Sequence, residues 1–87
     1  MTILLKTQSG DVVEFHGELS KRCCKNKDTD EIYWNVYTQN CEGKVVSLGK
    51  YGNEDKAQKV IDMFVGNVVV HSNLRVLLFK MPSREDV

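Results

Sequence analysis

One stretch limits the architectures open to this chain more than any other: Leu48-Gly49-Lys50-Tyr51-Gly52-Asn53-Glu54-Asp55-Lys56-Ala57-Gln58-Lys59-Val60-Ile61-Asp62-Met63-Phe64. It reads as a strand end, a tight turn and one amphipathic helix. Asn53 suits an N-cap, because its side-chain oxygen can accept from the free N–H groups of the first turn. Glu54 and Asp55 follow where the helix dipole favours negative charge. Ala57, Val60, Ile61, Phe64 and Val68 recur at three- and four-residue spacing and so share one stripe, while Lys56, Lys59 and Asp62 point away from it. Gly66-Asn67 is a natural stop after about three turns, although Val68-Val69-Val70 allows continuation at a cost of about 1 kcal/mol for the internal glycine.

A helix with one apolar stripe needs a sheet to cover, and the flanking sequence supplies strands. Ile3–Thr7 and Val12–His16 read as a hairpin, with Gly10 free to take a positive φ in the turn between them. Residues 17–31 read as a charged loop: Lys21, Arg22, Lys25 and Lys27 are followed by Asp28, Asp30 and Glu31, without periodicity. Ile32, Trp34 and Val36 alternate with Tyr33, Asn35 and Tyr37, which predicts a strand with one apolar and one aromatic-polar face. Asn40–Gly43 is a turn and Lys44–Tyr51 the returning strand. Leu74–Met81 carries apolar residues on both sides, which predicts a strand buried on both faces or lying in a subunit interface. Pro82 ends it, and residues 83–87 form a polar tail. The expectation is an α+β fold: one domain of residues 1–87, an antiparallel β-meander of about five strands and one packed helix, in the order β-β-β-β-α-β.

Composition narrows the function classes. An 87-residue chain buries roughly 60–65% of its unfolded surface, a thin core that self-association often supplements, so a homo-oligomer stays open. Twelve basic and twelve acidic residues cancel, which removes the general electrostatic argument for nucleic-acid or membrane binding. Cys23, Cys24 and Cys41 are odd in number and lack zinc spacing, as expected of reduced thiols in a cytosolic protein. The opening Met1–Lys6 has no basic segment and no long apolar run, so the reading is of a cytoplasmic chain without a membrane span.

The opening Thr7-Gln8-Ser9-Gly10-Asp11, the segment Leu48-Gly49-x-Tyr51 with Ala57-x-x-Val60-Ile61-Asp62-Met63, and the closing Phe79-x-Met81-Pro82 lie in order along the chain. Together they resemble small proteins encoded by phages and prophages of Gram-positive bacteria, with a TQxG opening, an LGxY segment and an FxMP close. The resemblance spans most of the chain, but residues 17–31 have no counterpart in it. It implies a small accessory protein of viral or mobile-element origin, and transfers no functional residue. Such proteins often act by binding a host effector or sequestering a nucleotide signal, which suggests anti-defence activity by analogy.

Catalysis finds little footing. His16 and His71 lack a third metal ligand, no characteristic motif surrounds a cysteine, and Gly49-Lys50-Tyr51-Gly52 lacks the spacing of a phosphate loop. A non-enzymatic protein with no metal and no cofactor is expected. Three binding readings follow. Tyr33 and Tyr37, flanked by Tyr51, offer an aromatic surface for a host protein; the plainer reading is that they cover the sheet. A nucleotide-like small molecule could use Lys44, Lys50 or Arg75 for phosphate and Tyr33 or Tyr37 for stacking, with Arg75 otherwise a charge that guards an edge strand. Lys21, Arg22, Lys25 and Lys27 could make a salt-sensitive nucleic-acid contact, the least favoured of the three because acids adjoin them. The alternative to a binding role is a homo-oligomeric structural or regulatory module of the same viral origin.

Overall fold

The computed structural model describes all residues 1–87. Strands β1 (Thr2–Lys6), β2 (Val12–Glu14), β3 (His16–Lys25), β4 (Ile32–Gln39) and β5 (Val45–Tyr51) precede helix α1 (Glu54–Val70) and strand β6 (Val76–Lys80). The fold is α+β, with the strands divided between two three-stranded sheets, β2-β1-β6 and β3-β4-β5. In the first, β1 is antiparallel to β2 and parallel to β6; the second is an antiparallel meander.

The extra strand lies where a charged loop was expected. Most of residues 17–31 belongs to β3, which pairs with β4 from Lys25↔Ile32 to Ser20↔Tyr37, and only Asn26–Glu31 turns. β3 is an edge strand whose sole large apolar side chain is Leu19, so no hydrophobic alternation marks it. Phe15 alone separates β2 from β3, and the chain crosses between sheets there. Gly17, at φ 95°, takes the positive angle in the irregular stretch between His16 and Ser20, a conformation that glycine adopts without steric cost.

Helix α1 closes both sheets. Asn53 accepts from the Lys56 N–H at 2.9 Å, and Ala57, Val60 and Phe64 are buried. The helix runs through Gly66 to Val70, one turn past the expected stop, because Val68 still packs against the core and the His71 N–H caps Asn67. Leu5, Val36, Leu48, Tyr51, Ala57, Val60, Phe64, Phe79 and Met81 make one core. Phe64 sits between Phe15 and Phe79, with ring centroids 5.0 and 5.4 Å away, the tilted and edge-on contacts that aromatic rings prefer. Strand β6 is not buried on both faces: Leu77 and Phe79 enter the core, whereas Val76 and Leu78 are each 55% exposed. Of the apolar β4 residues, Val36 is fully buried and Trp34 packs partly on the core, but Ile32 lies exposed at the sheet's end. The tail is tied down, with Arg84 paired to Glu31 at 2.6 Å and Val87 against the core. No helix is long and apolar enough to cross a membrane.

Candidate functional site

The helix covers one face of β3-β4-β5 and leaves the other open. Because side chains alternate along a strand, β4 sends Trp34, Val36 and Thr38 to the covered side and Tyr33, Asn35 and Tyr37 to the open one. Cross-strand pairing sets Arg22 of β3 and Lys50 of β5 on either side of Asn35. Arg22 reaches diagonally to lie over the Tyr37 ring at 5.2 Å, and Lys50 over the Tyr33 ring at 5.0 Å. The four side chains surround Asn35, which is only 6% exposed. Ser47 Oγ donates to Asn35 Oδ1 at 2.6 Å and fixes the amide. Its side-chain N–H groups donate to no acceptor within the chain.

Ion pairing separates these two cations from their neighbours. Lys21 is bound to Glu54 at 3.3 Å, Lys25 to Asp30 at 3.5 Å and Lys44 to Glu42 at 3.8 Å. Neither Arg22 nor Lys50 has a carboxylate within 4.0 Å. Each is instead held by a tyrosine ring, whose attraction at an exposed site is about 0.5–1 kcal/mol. At the Tyr37 end, where β3 departs from regular pairing, an open recess of about 550 Å³ is lined by His16, Gly17, Glu18, Ser20, Tyr37, Thr38 and Gln39. Its lining is almost wholly polar, with Glu18 the one acid.

The sequence-based candidates are thereby sorted. Tyr33, Tyr37 and Lys50 come together. Tyr51 does not join them: it is fully buried on the opposite face, where its hydroxyl donates to the Pro82 carbonyl at 2.8 Å. Burial pushes its pKa up to about 12, against a smaller lowering by Gln8. Arg75 belongs to the other sheet, just ahead of β6, and its carbonyl accepts from the Thr2 N–H. The basic quartet is dispersed. Lys21 points to the helix side over Trp34 and Glu54, Lys25 is paired, Lys27 sits in the turn, and only Arg22 joins the open face. Asn35 and Ser47 complete the site. The alternation of β4 places Asn35 between the tyrosines, but the pairing of Ser47 depends on an extra residue in β5: Val36 faces Gly49 while Tyr37 faces Ser47.

Cys23, Cys24 and Cys41 are free thiols, and nowhere do three His, Cys, Asp or Glu side chains gather around one point that could hold an ion. The open face gathers groups suited to holding a ligand. It presents two unneutralised cations, two ring faces, amide donors and an adjoining polar recess. No family model matches the chain, and no curated protein or solved structure shows significant similarity to it.

Proposed function

We propose that this chain is a non-enzymatic binding protein that captures a phosphate-bearing ligand with a planar ring on the open face of β3-β4-β5. The observation that carries this reading is the pair of cations, Arg22 and Lys50, stacked on Tyr37 and Tyr33 without carboxylate partners. Magnitudes favour exchange of the stacked cation for a bound anion. A surface cation–π contact contributes about 0.5–1 kcal/mol, whereas a hydrogen bond to a charged group contributes about 1.5–3 kcal/mol. A phosphate therefore draws the cation away from the ring and frees the ring for base stacking. Stacking on an aromatic side chain adds about 1–3 kcal/mol per base.

The resemblance to phage and prophage proteins supports an accessory role in the cytoplasm of a bacterial host. There, sequestering a nucleotide-like host signal would serve anti-defence. The dispersal of the basic quartet weighs against an extended nucleic-acid track. Native mass spectrometry with a panel of ribonucleotides and dinucleotides tests the proposal. It expects a stoichiometric adduct on the wild-type protein that is lost in the double variant Arg22→Gln/Lys50→Gln. Absence of any adduct, with a host polypeptide retained from lysate instead, would transfer the same face to the protein-blocking reading.

A further inference from the structure

The two sheets have four edges, and three are guarded against further strand pairing. β2 is only three residues long and ends in Glu14. β3 is interrupted by the irregularity at Gly17 and carries Lys21, Arg22 and Lys25. β5 is blocked by Gln8, whose side chain accepts from the Lys50 N–H at 2.8 Å and donates to the Lys50 carbonyl at 3.4 Å, while its own N–H donates to the Leu48 carbonyl at 2.9 Å. Such short, charged, irregular or covered edges are how proteins avoid unwanted pairing. β6 is the least guarded of the four, with Arg75 just ahead of it and Pro82 beyond its end. It is a regular strand without glycine or proline, its one charge is the terminal Lys80, and the tail after Pro82 runs towards Gln8 and Glu31 and does not lie along it.

In the parallel ladder with β1, the Thr2 N–H donates to the Arg75 carbonyl and the Met81 N–H to the Lys6 carbonyl. That phase turns residues 75, 77, 79 and 81 towards β1, and leaves the N–H and C=O groups of Val76, Leu78 and Lys80 pointing outward. The exposed Val76 and Leu78 side chains lie along the same edge, with Leu4 beside Leu78 on β1.

We propose that β6 pairs antiparallel with β6 of a second copy, about a two-fold axis through Leu78, to join two three-stranded sheets into one continuous six-stranded sheet. The outward-pointing groups are self-complementary in this register. Leu78 faces Leu78 of the second copy, and Val76 faces Lys80, each pair exchanging two backbone hydrogen bonds. Charge selects the antiparallel arrangement. A parallel pairing in register would stack Lys80 on Lys80 and Arg75 on Arg75, whereas the two-fold sets Lys80 against Val76 and Arg75 against Met81. The formal net charge of zero opposes association by no long-range repulsion. This interface lies on the other sheet from the Tyr33/Tyr37 face and stands or falls independently of it.

Sedimentation equilibrium combined with amide hydrogen exchange tests the pairing. The wild-type chain is expected at twice its 9.9 kDa mass, with the Val76, Leu78 and Lys80 amides protected. Leu78→Lys and Leu78→Glu are each expected to be folded monomers whose three edge amides exchange rapidly, and an equimolar mixture of the two should recover the dimer. Val65→Lys, at a comparably exposed helix position, should remain dimeric. A wild-type monomer up to millimolar concentration overturns the proposal. So does a dimer that survives Leu78→Lys or leaves the three amides unprotected, or protection of that edge by a copurifying foreign peptide.

Discussion

The ring of Tyr51 lies across Gly49, so close that a β-carbon on Gly49 would stand 2.9 Å from the tyrosine oxygen and 3.1 Å from Cε2. Gln8 closes the third side, its Cδ 3.0 Å from the same point. The Leu48-Gly49-x-Tyr51 segment is thus a packing device, in which the residue two places before the tyrosine has room for hydrogen only. Gly49→Ala is expected to destabilise the protein by about 1–3 kcal/mol, the usual cost of overpacking, because both opposing groups are anchored. Gly52→Ala, whose nearest neighbour is 3.8 Å away, should change stability by less than about 0.5 kcal/mol. Urea unfolding of the two variants side by side measures the difference.

Tyr51 also sets an alkaline limit. Its phenol titrates at about 12 in the fold against 10.0 unperturbed, chiefly because burial disfavours the phenolate. Between those values the unfolded chain binds fewer protons than the folded one, so stability falls as pH rises from about 10 towards about 12. Below that window the contribution is fully present. Tyr51→Phe should lose about 1 kcal/mol at neutral pH with the hydrogen bond to Pro82, and should flatten the alkaline decline. Thermal melting of both proteins across pH 8–11 is the check, where roughly equal alkaline losses would remove Tyr51 as the cause.

Core aromatics should rank by burial. Phe64, 5% exposed between two other phenylalanines, is expected to cost about 3–5 kcal/mol as Phe64→Ala, enough to unfold a domain this small. Trp34 is only partly buried on the rim of the same core, with Lys21 over its ring, so Trp34→Ala should cost about half as much. Denaturant midpoints read the order directly. A silent Trp34→Ala would overturn the assignment of the covered face of β4.

The helix and its cap were legible because their determinants are local: Asn53, the acids after it and an apolar stripe. The open face was half legible. Strand alternation groups Tyr33 with Tyr37, and it also forbids adjacent Lys50 and Tyr51 from sharing a face, which bars Tyr51 from the site once Lys50 is in it. Arg22 was named only within the basic stretch, and its place beside Tyr37 was hidden for a different reason. An edge strand such as β3 needs little apolar alternation, since its stability comes from pairing with β4, and that partnership is non-local. The register of Ser47 against Tyr37 depends in turn on an extra residue at Leu48 that no local pattern announces. The same holds for the lightly guarded edge of β6, which exists only because β6 joins β1 from the far end of the chain.

Arg22, Tyr33, Asn35, Tyr37 and Lys50 are proposed to form one ligand-binding face. Titration of isotopically labelled protein with the nucleotide panel, followed by amide and side-chain chemical shifts, tests it most directly. Saturable shifts are expected at the Asn35 side-chain amide, the two tyrosine rings and the Arg22 guanidinium, and they should disappear in Arg22→Gln/Lys50→Gln. A spectrum unchanged by every nucleotide, or shifts confined to residues outside β3-β4-β5, would contradict it.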